Sequence, residues 1–183
     1  MPCTGVLPLT RLDSFIRRLV AQRAVLDAAV DLLEGRGGSV LEMGLGNGRS
    51  FDHLRARLPG RRIVVIERDP KPHPACMPPC PDLVVGTFEE ILPRAAELLP
   101  ADLVLVHADM GTGDDQRNAR LADVVAQGLE GFLPEGCLVA SDQALPREVY
   151  KPLPIPDGIE PGRYHLYRVT RSTAAHIMVD AST

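Results

Sequence analysis

The chain has 183 residues, no tryptophan and a hydrophobic content of 45%. That is the length of a single domain, and such a chain buries about 70% of its unfolded surface, enough to hold a core without staples. Charged residues make up 24%, and no apolar run is longer than that of Leu103 to Val106, far below the roughly 20 residues of a membrane span, so the composition excludes a disordered chain, a fibre and a membrane-spanning helix.

The net charge of −4 argues against a nucleic-acid partner. Arg17, Arg18 and Arg23, and the loose group Arg55, Arg57, Arg61 and Arg62, read as solvated helix faces. The start, MPCTGVLPLTRLD, has no long apolar core and no cleavage site, so no signal peptide is expected. Cys3, Cys76, Cys80 and Cys137 are then expected as free thiols in a reducing cytoplasm.

Periodicity predicts a helix from Ser14 to Glu34, with Phe15, Leu19, Leu26, Val30 and Leu33 at helical spacing and Gly35, Gly37 and Gly38 as its stop. Ser39 to Met43 reads as a strand, Gly44 to Gly48 as a tight turn and Ser50 to Leu58 as a helix. Arg62 to Glu67 is apolar on both faces, as a covered parallel strand should be. Six prolines between Pro70 and Pro81 predict an irregular loop. Leu83 to Gly86 is a third strand. Thr87 and Glu90 have capping-box spacing, with Pro93 either kinking the helix or starting a new one. Asp102 to His107 is the fourth strand. Asp114 caps a helix through Glu130 that places Leu121, Val125, Leu129 and Phe132 on one face, and Cys137 to Ser141 is the fifth strand.

Pro146 to Pro161 shows no sustained period. Tyr164 to Thr170 and Ala174 to Asp180 read as an antiparallel hairpin around Arg171, Ser172 and Thr173. The whole predicts an α/β three-layer sandwich, a Rossmann-like, mostly parallel sheet with a C-terminal antiparallel hairpin. It is read as one domain over 1–183, with a helical segment 1–38, a core 39–141 and a proline-rich loop and hairpin 142–183.

Glu42, Gly44, Leu45, Gly46, Asn47 and Gly48 lie where an open α/β sheet binds its ligand, between a strand and a helix N-terminus. The dinucleotide fingerprint is G-x-G-x-x-G, whereas this turn is G-x-G-x-G preceded by an acid. A carboxylate there would repel a diphosphate and suits a cation such as a sulfonium or an ammonium. Glu67, with Arg68 beside it, ends the second strand, where an acid accepts from ribose hydroxyls. Together these residues describe a site for S-adenosylmethionine.

The ordered strings VLEMGLGNGRS, IVVIERD, VVGTFEE and LVLVHADMGTGD, with the terminal hairpin, resemble a class I S-adenosylmethionine-dependent methyltransferase from Ser39 onward. LDSFIRRLVAQR, GLGNGRSFDHL and HADMGTGD further resemble a small bacterial family of methyltransferases whose acceptor is unidentified. The resemblance implies that Glu42, Gly44, Gly46 and Gly48 line the methionine end and that Glu67 holds the ribose. It implies that Gly86, Thr87 and Phe88 meet the adenine, with Thr87 where that class usually has an acid.

His107 and Asp109 end the fourth strand, opposite the glycine turn, and are the candidate catalytic residues. Asp109 would orient or deprotonate a nucleophile and His107 would act as a base near neutral pH. Asp114 and Asp115 are near enough in sequence to enter the same site. No Asn/Asp-Pro-Pro-aromatic motif follows this strand, so DNA-base and glutamine methylation are disfavoured. His73, Cys76 and Cys80 are too few and too oddly spaced for zinc, so no metal is expected.

The sequence reading is thus a transferase acting on a small-molecule acceptor, with neither nucleic acid nor membrane as partner. The alternatives are a nicotinamide-dependent oxidoreductase and a non-catalytic S-adenosylmethionine binder. The N-terminal helix and the Pro146–Pro161 segment are expected to cover the site, or else a second subunit does.

Overall fold

The computed structural model describes residues 9–171. Helix α1 (Arg11–Asp31) starts three residues before the predicted Ser14 because Thr10 and Asp13 form a reciprocal cap. It ends early because Leu33 and Glu34 bond three residues back instead of four, tightening the chain toward Gly35. Its buried face is Ala21, Gln22, Val25, Leu26 and Ala29, continued by Leu33. Val30, expected on that face, packs half-buried against the same core, whereas Phe15 lies off it and is exposed together with Leu12, Ile16 and Val20. Ala21 and Ala29 let this helix approach the sheet closely, beside the buried Val25, Leu26 and Leu33.

Strand β1 (Ser39–Met43) has all five residues buried, and helix α2 (Arg49–Arg57) follows the glycine turn. Strand β2 (Ile63–Glu67) leads through the proline-rich loop, which holds only two short 3₁₀ turns, to strand β3 (Leu83–Val85). Thr87 and Glu90 cap the short helix α3 (Phe88–Ile91). Pro93 sits in a 3₁₀ turn that leads into helix α4 (Ala95–Leu98). Strand β4 (Leu103–Ala108) is wholly buried, helix α5 (Asp115–Glu130) takes Asp114 as its cap, and strand β5 (Leu138–Ser141) completes the parallel set.

The proline-rich segment contains a strand that its composition hides, β6 (Tyr150–Pro152). It is the sheet's outer edge, where Pro152 costs no ladder bond, and the Tyr150 hydroxyl donates to the Ala126 carbonyl at 2.7 Å. Strand β7 (His165–Val169) pairs antiparallel with β5 on one side and β6 on the other. The turn at Ser172 and the strand from Ala174 to Asp180 lie outside the described residues, as does Cys3.

The seven strands run in the order β3-β2-β1-β4-β5-β7-β6, with β1 to β5 parallel. Successive residues face opposite layers. Leu41, Ile66, Val106 and Val139 pack toward α3–α5, and Val40, Val65, Leu105 and Leu138 toward α1 and α2. This is the expected three-layer α/β sandwich. The parallel order reverses beside β1, and the C-terminal ends of β1 and β4 open a crevice there. Among the described residues no helix is long and apolar enough to cross a membrane.

Candidate functional site

A cavity of about 740 Å³ occupies that crevice, within the roughly 300–1,000 Å³ of small-molecule sites. Its floor is the glycine turn, from Gly44 to Asn47. The ends of β2 and β3 supply Ile66 to Arg68 and Gly86 to Glu89, and the β4 end supplies Asp109 to Thr112. One face of α5 (Arg117, Arg120, Leu121, Val124) closes one side, and Arg18, Leu19 and Gln22 of α1 close another. No residue of 146–161 lines it; Leu153, Ile155 and Ile159 pack instead against the α1 layer. Of the two segments expected to cover the site, α1 does so.

Gly44 has φ +90°, and a Cβ there would lie 2.6 Å from the Asp109 carbonyl oxygen. Glycine therefore lets the β1 and β4 turns touch. Gly48 is buried and turned away from the cavity, and a Cβ on it would collide with Cys76. The proline-rich loop thus braces the turn from outside, with the His73 amide donating to the Asn47 carbonyl at 3.2 Å. His73 Nδ1 accepts from the Ala75 amide, and among the described residues no three His, Cys, Asp or Glu side chains gather as a metal site requires.

Glu67 reaches over the glycine turn. Its Oε2 accepts from the Leu45 and Gly46 amides at 2.9 and 3.2 Å, and its Oε1 from the Asp69 amide at 3.0 Å. Partial burial pushes its pKa up, but these amides outweigh burial and hold it below the ordinary carboxylate value. Glu67 also lines the cavity. Arg68 is exposed beside it.

Thr87 and Phe88 line the cavity, but the Thr87 hydroxyl is engaged with Glu90, donating to its Oε2 at 3.0 Å and accepting from its amide at 3.3 Å. Phe88 also packs on the core. Glu89, which the sequence reading passed over, is the carboxylate on this wall.

Glu42 and His107 lie behind the floor, wholly buried and away from the cavity surface. His107 Nδ1 donates to Glu42 Oε2 at 2.7 Å, Ser50 donates to Glu42 Oε1, and His107 Nε2 meets the Tyr164 hydroxyl. The Glu42 carboxylate therefore faces an imidazole where the sequence suggested a ligand cation, and both ring nitrogens of the proposed base are occupied. Burial pushes the His107 pKa down, but the Glu42 carboxylate, helped by Asp109 and Asp142, outweighs it, and the pKa is raised. Buried away from the cavity with both nitrogens engaged, the ring supports its neighbours and does not reach a proton of a bound ligand. Burial keeps Tyr164 protonated, and it pushes the Cys137 thiol up to about 12, leaving that cysteine inert.

Asp109 does reach the cavity. Arg18 Nη1 donates to its Oδ1 and Gln22 Nε2 to its Oδ2, each at 2.9 Å. Besides Glu89, the site residues missed in the sequence include Arg18 and Gln22, which hold Asp109, Tyr164 behind the floor, and Arg117 and Arg120 on α5. One signal was present for Arg18 and Gln22: polar residues four apart on a helix, of which Gln22 interrupts the alanine-rich buried face. Asp142, at the end of β5, accepts from the Met110 amide at 2.9 Å and braces the loop after Asp109. Asp114 accepts from the Arg117 amide as a helix cap, and neither it nor Asp115 lines the cavity.

The profile of a family described as S-adenosyl-L-methionine methyltransferase matches residues 9–169. No curated protein sequence matches the chain. Among solved structures, an S-adenosyl-L-methionine methyl transferase from Silicibacter pomeroyi DSS-3 is 40% identical, with a TM-score of 0.82 over 88% of this chain and 99% of that one. Two more distant structures share the fold. TrmN from Thermus thermophilus is 13% identical, with a TM-score of 0.55 over 85% of this chain and 52% of that one. The N-methyltransferase NodS from Bradyrhizobium japonicum WM9 is 12% identical, with a TM-score of 0.51 over 85% of this chain and 98% of that one. The profile spans every strand of the sheet and each wall of the cavity, and the chain belongs to this family of S-adenosyl-L-methionine methyltransferases.

Proposed function

We propose that the chain transfers the methyl group of S-adenosylmethionine to a small-molecule acceptor in the bacterial cytoplasm, and that 1–183 work as one unit built from the segments 1–38, 39–141 and 142–183. The observation that carries the reading of the site is that Leu45 and Gly46 donate to Glu67. In a dinucleotide site such amides would face a diphosphate. A carboxylate in that place favours a cationic ligand and disfavours the nicotinamide alternative.

Gly44, Leu45, Gly46 and Asn47 would line the methionine end, and Gly48 supports them through packing. Glu67, which lines the cavity, would accept from a ribose hydroxyl, with Arg68 alongside. Gly86, Thr87 and Phe88 would face the adenine, with Glu89 available to its amine. When bound, the cofactor would supply a methyl group on a positively charged sulfur, activated for transfer to a lone pair of the acceptor with the bonding electrons left on sulfur.

The chain's own contribution is mainly positioning, because the leaving group is already activated. Asp109, fixed by Arg18 and Gln22, orients the acceptor and takes a proton where the nucleophile carries one. Glu42 and His107 act as positioning residues behind the floor. The exposed Leu12, Phe15, Ile16 and Val20 of α1 support self-association through that helix, which light scattering would register as twice the 19.8 kDa chain mass.

Calorimetry tests the reading. S-adenosylhomocysteine is expected to bind one site and NADH none. Absence of both heat and thermal shift with S-adenosylhomocysteine overturns it, and binding without turnover on any small-molecule pool points to the non-catalytic alternative.

A further inference from the structure

The cavity carries a charge imbalance that its cofactor does not correct. Arg18, Arg49, Arg68, Arg117 and Arg120 line it, against Glu67, Glu89 and Asp109. Arg18 is paired with Asp109, and Glu67 is held by backbone amides. Arg49, Arg68, Arg117 and Arg120 take no part in the ion pairs among the described residues. Outside the cavity Arg55, Arg57, Arg62, Arg94, Arg147 and Arg163 each face an Asp or Glu, and Arg36, Arg61 and Arg171 donate to backbone carbonyls. S-adenosylmethionine is itself net cationic, so its binding deepens the imbalance.

Two of these arginines stand beside the expected cofactor. Arg49 begins α2 directly after the glycine turn, and Arg68 follows Glu67. Arg117 and Arg120 stand apart, one turn from each other on the cavity face of α5. The loop joining them to Asp109 is braced, with the Thr112 amide and hydroxyl donating to Asn118 Oδ1 at 2.9 and 2.8 Å. One short, clamped segment therefore carries both guanidinium groups and the carboxylate that faces the reaction.

We propose that Arg117 and Arg120 bind a carboxylate or phosphate group of the methyl acceptor, so that the substrate is a small anion presenting its nucleophile to Asp109. The inference rests on the S-adenosylmethionine site proposed above. A guanidinium fork takes either anion in bidentate fashion. A nucleic acid is the weaker fit, because these arginines line a cavity in an acidic protein and form no basic stripe.

Protein saturated with S-adenosylhomocysteine is titrated calorimetrically with inorganic phosphate, benzoate, benzamide and bulk transfer RNA. The same is done with the double variant Arg117→Gln, Arg120→Gln. Phosphate or benzoate is expected to bind at least about tenfold more tightly than neutral benzamide, and less tightly as salt rises. The double variant is expected to weaken the anion by about 10–100-fold, as for loss of charged hydrogen bonds, while leaving S-adenosylhomocysteine affinity unchanged. Preference for phosphate points to a phosphorylated acceptor, and preference for benzoate to a carboxylic acid.

Equal binding of benzoate and benzamide overturns the proposal, as does anion binding that survives in the double variant. Transfer RNA binding more tightly than both small anions overturns it in favour of a nucleic acid. Loss of S-adenosylhomocysteine binding in the double variant alone assigns the arginines to the cofactor and also overturns it. Failure of the unaltered protein to bind S-adenosylhomocysteine instead overturns the cofactor site itself.

Discussion

Glu42 and His107 are register partners on the adjacent parallel strands β1 and β4, and their side chains meet at 2.7 Å with no access to solvent. Removing one partner of a buried pair leaves an uncompensated group and costs about 3–5 kcal/mol. Glu42→Leu and His107→Leu are each expected to lose about that much in urea unfolding, and the double variant to lose at least about 1 kcal/mol less than their sum. Strictly additive losses would show that the two groups do not interact.

The same pair makes stability depend on pH. The folded-state pKa of His107 is raised above its ordinary value of 6.5. Its contribution is therefore complete below about pH 6.5 and fades as pH rises through the folded value. The gap in urea midpoint between the unaltered protein and His107→Gln should be widest near pH 6 and narrower near pH 9. A gap that widens with pH would contradict the raised pKa.

Glu67→Gln places an amide group before the Leu45 and Gly46 donors, so one of its NH groups opposes another or the side chain turns away. Loss of charge-assisted hydrogen bonds is expected to raise the dissociation constant for S-adenosylhomocysteine by about 10–100-fold. An unchanged constant would remove Glu67 from the cofactor site.

Asp109→Asn keeps the shape but removes the charge and the proton acceptor. Turnover, read as label passing from methyl-labelled S-adenosylmethionine to a small-molecule extract, should fall by about 10²–10⁴-fold if Asp109 takes the proton. Arg18→Ala and Gln22→Ala should lower it less, since each removes one support of that carboxylate. Full activity in Asp109→Asn would exclude the role.

Gly44→Ala forces a Cβ to within 2.6 Å of the Asp109 carbonyl at φ +90°, whereas a Cβ on Gly46 meets nothing within 4 Å. Gly44→Ala should destabilise by about 1–3 kcal/mol and Gly46→Ala by about 1–2 kcal/mol, with S-adenosylhomocysteine binding lost first in the former. The reverse order in a thermal-shift series would show that the two turns are not in contact.

Much of the fold was legible in the sequence. β1 lies where SVLEM predicts it, and both Thr87–Glu90 and Asp114 cap as expected, because each depends on groups within four residues of one another. The edge strand β6 was not legible. Tyr150 to Pro152 has no pattern of its own and becomes a strand because β7 offers it a free edge. On α1 Leu26 and Leu33 are buried as expected, but the N-terminal part was misjudged for a related reason: side-chain size ranked Phe15 above Ala21, and closeness of packing decided otherwise.

By itself the sequence determined the alternation of strands and helices, the glycine turn and the placing of Glu67 and Asp109 at strand ends, since backbone conformation and capping are settled by near neighbours along the chain. Only the tertiary structure decided what each carboxylate faces. Strand register turned Glu42 inward to His107, and the docking of α1 brought Arg18 and Gln22 onto Asp109, 91 and 87 residues away. Burial and pairing of charge are properties of surfaces meeting across the fold, and no local pattern encodes which surfaces meet.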